Sequence, residues 1–134
     1  MKLFRIMIFI GATFFVQNAS AQLAGTKWAG TFQTPGTADC YFQFKKDTLN
    51  MIMVESEGLV EQMHYELKSD TIFLKKLNGG SPCEVDNVAS YKWKVTGDKL
   101  FLNMISDDCP ARSGAGIDGA EMTKVVEPGS LKKE

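Results

Sequence analysis

Histidine occurs once in the 134 residues, at His64, so the chain holds little material for a histidine-based metal site or catalytic relay. An excess of charge of one sign is also missing. Fifteen Lys and Arg stand against sixteen Asp and Glu, which excludes the basic footprint of a nucleic-acid binder. Three cysteines, at 40, 83 and 109, lack the C-x-x-C spacing of a zinc site. No apolar run reaches the roughly 20 residues that a membrane-spanning helix needs, and no window carries a sustained helical stripe. The glycine-bearing stretches Asn78-Gly79-Gly80 and 114–119 lack the strand-then-helix setting of a phosphate loop and read as flexible loops. What remains is an apolar fraction of 44%, too high for a disordered chain and enough for one domain.

The first twenty residues stand apart. Lys2 and Arg5 precede an apolar run over 6–16, followed by Gln17, Asn18 and the small residues Ala19-Ser20-Ala21. This layout predicts a secretory signal peptide over 1–21, cut before Gln22. No cysteine follows the cut, so no lipoprotein anchor is expected. The expected domain plan is therefore a signal peptide (1–21), a β-barrel domain (22–126) and a disordered tail (127–134). Such a protein is exported, either periplasmic or secreted, with no stable membrane insertion. An oxidising compartment predicts one disulfide and one leftover thiol.

From Lys27 onward apolar residues recur every second position. Strands are expected at 27–33, 39–46, 49–55, 61–68, 71–77, 89–96 and 99–105, with a weaker eighth near 118–126. Three connections reduce to two residues each: Asp47-Thr48, Ser69-Asp70 and Gly97-Asp98. Links this short force antiparallel hairpins. The other links are long, so tight turns gather at one end of the sheet and long loops at the other. Constant-sum pairing sets Tyr91 opposite Met104, Trp93 opposite Leu102, Tyr65 opposite Leu74, Phe42 opposite Met53, and Phe44 opposite Met51. Slipping a register by one would turn every apolar face into water. The expected fold is all-β: an eight-stranded antiparallel up-and-down barrel, with a β-sandwich as the alternative.

The stretch Leu23-Ala24-Gly25-Thr26-Lys27-Trp28-Ala29-Gly30-Thr31-Phe32 resembles the first strand of a lipocalin-like domain. Tyr91-Lys92-Trp93, Gly97-Asp98-Lys99-Leu100 and Asp107-Asp108-Cys109 resemble the end of small exported bacterial proteins of that type. The resemblance covers most of 23–109. It implies an eight-stranded barrel whose apolar interior holds a hydrophobic small molecule, with no shared catalytic residue. Two departures accompany it. Two residues separate Gly25 from Trp28, where the family has one. The arginine that the family lays over that tryptophan has no counterpart, because Arg112 falls before the last strand at the opposite end.

The inward-facing set carries no charge as read from the pattern, and it includes Phe42, Phe44, Met53, Tyr65, Tyr91, Trp93 and Met104. It serves either as a lining for a hydrophobic ligand, with methionine supplying adaptability, or as a plug that fills a narrow barrel. Arg112 sits in Asp107-Asp108-Cys109-Pro110-Ala111-Arg112 at the expected mouth. It either clamps the anionic head of an amphiphile or forms an exposed pair with Asp107 or Asp108. Cys83 and Cys109 flank adjacent strands and are the expected disulfide, leaving Cys40 as a buried thiol. His64 points outward beside Gln62 and Glu66.

The favoured function is binding of a small hydrophobic or amphipathic ligand at Phe42, Phe44, Met53, Tyr65, Tyr91, Trp93 and Arg112. The alternative is a filled barrel that meets a protein or envelope component through its long-loop rim. No cofactor, metal or enzymatic activity is expected.

Overall fold

The structure is a computed structural model that describes residues 22–34 and 36–127. The expected signal peptide, and all of the expected tail beyond Glu127, lie outside the described residues. Strand order follows chain order: β1 (Lys27–Gln33), β2 (Thr37–Phe44), β3 (Thr48–Met53), β4 (Leu59–Lys68), β5 (Thr71–Asn78), β6 (Val88–Thr96), β7 (Lys99–Asp107) and β8 (Ala120–Lys124). Each strand pairs with the next, and β8 returns to β1 to close a barrel. All eight pairings are antiparallel. Closure rather than a sandwich follows from sequential short links, and it leaves no open sheet edge between strands.

The hairpin registers explain why the apolar faces meet. Lys68 pairs with Thr71 across Ser69-Asp70, and Thr96 with Lys99 across Gly97-Asp98. Ser69 (φ 57°) and Gly97 (φ 60°) supply the left-handed backbone that a two-residue turn needs. Tyr65 therefore faces Leu74, and Trp93 faces Leu102, as the pattern predicts. The β2–β3 hairpin differs. Lys45 N–H donates to Thr48 O at 2.8 Å, so the turn residues are Lys46-Asp47, one position earlier than expected. Phe42 then pairs with Met51, Phe44 with Leu49, and Cys40 with Met53. Moving a turn by one residue shifts each pair by two, which preserves the inward parity.

Inside the barrel, Phe32 stacks on Phe42 with ring centres 5.2 Å apart, and Phe44 meets Tyr65 edge-on at 5.2 Å. Met104 departs from the expected inward set and is 41% exposed. The β7–β8 register stops at Leu102–Ala120, and a bulge interrupts the β6–β7 ladder at Ser90/Tyr91. Beyond that point β7 has no neighbouring β8 to cover it.

The segment between β7 and β8 fills this gap. A helical turn, α1 (Pro110–Arg112), continues into a wider π-type turn over Ser113–Ile117, where Gly116 takes φ 99°. Its buried side chains are Arg112, Ala115 and Ile117. A disulfide joins Cys83, in the β5–β6 loop, to Cys109 just before α1. Cys40 is a free thiol buried on β2, and burial pushes its pKa up, with Asp39 adding to the shift.

Candidate functional site

Four charged side chains occupy the barrel interior at the long-loop end, contrary to the uncharged lining expected from the pattern. Glu61 continues the inward parity of Met63 and Tyr65, and Lys76 continues that of Ile72 and Leu74. Both are almost fully buried. Asp107, at the end of β7, pairs with Ala89 and turns inward with it; its side chain is wholly buried. Arg112 enters from α1 and is only 3% exposed. The sequence signal for the first two was present in the period-two pattern. Each is an inward position occupied by a charge near a strand end.

Arg112 uses all three guanidinium nitrogens. Nε and Nη2 donate to Asp107 at 3.0 and 2.8 Å, and Nη1 donates to Glu61 Oε1 at 3.0 Å. The paired fork on Asp107 matches guanidinium geometry to carboxylate geometry. Tyr91 donates its hydroxyl to Asp107 at 2.5 Å, so the phenol is held protonated and its pKa is driven strongly upward by burial and by that bond. Lys76 Nζ donates to Ser81 O at 2.9 Å and also to Cys83 O. It thereby ties the β5–β6 loop beside the disulfide. The pair with Asp107 considered for Arg112 does form, but it is buried rather than exposed and extends to Glu61 and Tyr91 in a network across β4, β6, β7 and α1.

Burial raises the Glu61 pKa, while Arg112 and Lys76 pull it back down. Burial lowers the Arg112 pKa, but the Asp107 hydrogen bond and the Glu61 charge outweigh it and leave the guanidinium more firmly protonated. Gly79, just after β5, presses on the strand that carries Glu61. A Cβ there would lie 2.6 Å from Val60 O and 2.7 Å from Glu61 Cα. This segment is a fitted contact, not the flexible loop expected.

Glu61 and Arg112 of this network also border a cavity of about 560 Å³. It is lined by Met51 and Met53 from β3, Leu59 and Val60 from β4, and Ala115 and Ile117 from the β7–β8 connection. Glu61 and Arg112 complete one wall, with Thr34 and Ser81 nearby. Among the described residues Thr34 Oγ1 is buried without a hydrogen-bond partner, whereas Ser81 acts on the Glu61 carboxyl and helps to lower its pKa. A second hollow, at the tight-turn end, is walled by Lys27, Lys45, Lys46 and Lys124. There Lys27 is engaged by Glu127 at 2.8 Å, and Lys124 Nζ sits 5.9 Å from the centre of the Trp28 ring.

Of the seven residues expected to contact ligand, the structure brings Met53 and Arg112 to the cavity. Phe42, Phe44, Tyr65, Tyr91 and Trp93 are buried in the core and are not among its lining residues. Two of them are tied to the tight-turn end. Tyr65 donates to Lys45 O at 2.5 Å, and Trp93 Nε1 donates to Ser69 O at 3.2 Å. Packed aromatics therefore fill part of the barrel, and the apolar space in another part is lined by other residues apart from Met53 and Arg112. Sequence reasoning missed Leu59, Val60 and Ile117 because they belong to strand ends and loops. His64 lies on the outer face, with Nε2 3.4 Å from Glu66 Oε1. Among the described residues no cluster of His, Cys, Asp and Glu has the makings of a metal site. Nor is any described helix long and apolar enough to cross a membrane.

Comparison with protein-family models, with curated proteins and with solved structures found no match to the chain.

Proposed function

We propose that this protein is an exported, lipocalin-like, non-enzymatic barrel that binds a small hydrophobic or amphipathic molecule in the cavity beside α1. The carrying observation is that cavity, about 560 Å³ in volume and walled mainly by Met51, Met53, Leu59, Val60 and Ile117. Ligand pockets commonly fall between about 300 and 1,000 Å³, with apolar walls and a few placed polar groups. Methionine side chains adapt their shape to a bound molecule at little cost. The charged N-terminus, apolar run and small-residue cut site support export, and the Cys83–Cys109 bridge is compatible with it.

The test uses N-phenyl-1-naphthylamine, an uncharged dye that brightens in apolar surroundings. Saturable one-to-one enhancement is expected with the wild-type protein, and loss of it in Met53→Trp, whose indole would occupy the cavity. An absence of saturable binding, or equal binding by the filled variant, overturns the reading.

A second reading, a protein-contact face, is favoured by Phe73, Leu77, Val85, Val88 and Ile105. These exposed apolar residues all belong to β5, β6, β7 or the loop between β5 and β6. Crosslinking in the host's exported fraction checks it. A specific adduct abolished by Val88→Lys, with dye binding intact, supports a partner on this face.

A further inference from the structure

The cavity has one charged wall, and how that wall is neutralised decides what head group a ligand can carry. Arg112 is the cation nearest the space, yet its Nε, Nη1 and Nη2 already donate to Asp107 and Glu61. Lys76 is turned away to the carbonyls of Ser81 and Cys83. Counted formally, Glu61 and Asp107 cancel Arg112 and Lys76, so the network presents no net charge. Prising Arg112 from Glu61 to admit an anion would leave a carboxylate buried without its partner, a state that protein interiors strongly disfavour. The ion pair connects points 51 residues apart in the chain and is buried on both sides, at 1% and 2% side-chain exposure. Solvent therefore does little to screen it.

Resting on the ligand-binding reading above, we infer that the cavity selects uncharged amphiphiles, such as long-chain alcohols, over carboxylates, and that Glu61 is the specificity-determining residue. Its carboxylate occupies the guanidinium face that an acidic head group would otherwise take. The apolar walls favour the chain of either molecule, so the discrimination comes from the head group alone. Removing the Glu61 charge leaves the network with an excess positive charge beside the cavity, which converts the wall into an anion site.

The experiment is displacement of N-phenyl-1-naphthylamine at pH 8 by 1-decanol and by decanoate, in wild type and in Glu61→Gln. Glu61→Met is run in parallel so that the test stands if one variant fails to fold. In wild type, decanol should displace the dye at concentrations at least about tenfold lower than decanoate, a difference of about 1.4 kcal/mol. Either Glu61 variant should bind decanoate about tenfold or more tightly than wild type, with decanol affinity little changed. A wild type that takes decanoate as well as decanol overturns the inference while leaving the ligand-binding reading intact. So does a folded Glu61 variant with an unchanged ratio, since the apolar walls alone would then account for the preference. If neither dye nor either competitor binds, as read by calorimetry, both readings fall together.

Discussion

Arg112 Nη1 lies 3.0 Å from Glu61 Oε1, joining the β7–β8 connection to the start of β4 across the barrel interior. The same guanidinium grips Asp107 through two nitrogens. This one side chain ties the β7–β8 connection to β4 and to the end of β7.

Replacing Arg112 with methionine removes the partner of two buried carboxylates. The expected loss is about 3–5 kcal/mol of unfolding free energy, measured by urea denaturation. Adding Glu61→Gln to that variant should restore part of it, because one uncompensated charge is then gone. A double variant as unstable as the sum of the two singles would show that the pair is not coupled.

The pH dependence follows from the raised pKa of Glu61. A carboxyl that holds its proton more tightly when folded contributes stability below its unfolded value, near 4.5, and loses it as pH rises through the folded pKa. Wild type should therefore lose stability relative to Glu61→Gln as pH climbs from about 4.5 toward neutrality. The stability difference between the two proteins, measured at a series of pH values, checks the sign. A difference that is flat, or that grows in favour of wild type, contradicts it.

The Cys83–Cys109 bridge closes a loop spanning a sequence separation of 26. Restricting that loop in the unfolded chain is worth about 3–4 kcal/mol on the chain-entropy model. The double variant Cys83→Ala/Cys109→Ala should lose roughly that much. The disulfide neighbours the Lys76 contacts to Ser81 and Cys83, so the β5–β6 loop should also exchange its amide hydrogens faster.

Gly79→Ala should destabilise by about 1–3 kcal/mol, from an unfavourable φ of +116° together with a clash on the β4 backbone. Gly97→Ala, at positive φ but in open space, should cost less, about 1 kcal/mol. Thermal melts of the two variants give the comparison, and equal losses would show that the backbone contact at Gly79 carries no weight.

Much of the fold was legible because strand parity is a local property. Trp93 and Leu102 face one another because a two-residue turn leaves their register no freedom. The β2–β3 pairs shifted by two because Lys46-Asp47, rather than Asp47-Thr48, makes the turn, a choice that flanking composition does not reveal. The cavity was only half legible. Met53 could be placed by parity, whereas Leu59, Val60 and Ile117 meet through closure of the barrel and the course of the β7–β8 connection.

Alternation and turn length alone determined that this chain forms hairpins with one apolar face, and that its cysteines at 83 and 109 lie at the same end. Only the tertiary structure decided what Arg112 does. Its partners lie 5 and 51 residues away, and the more distant contact exists only once the ring of strands has closed. Local patterns act over a few bonds, but the balance of buried charge depends on which distant groups share the same dry space.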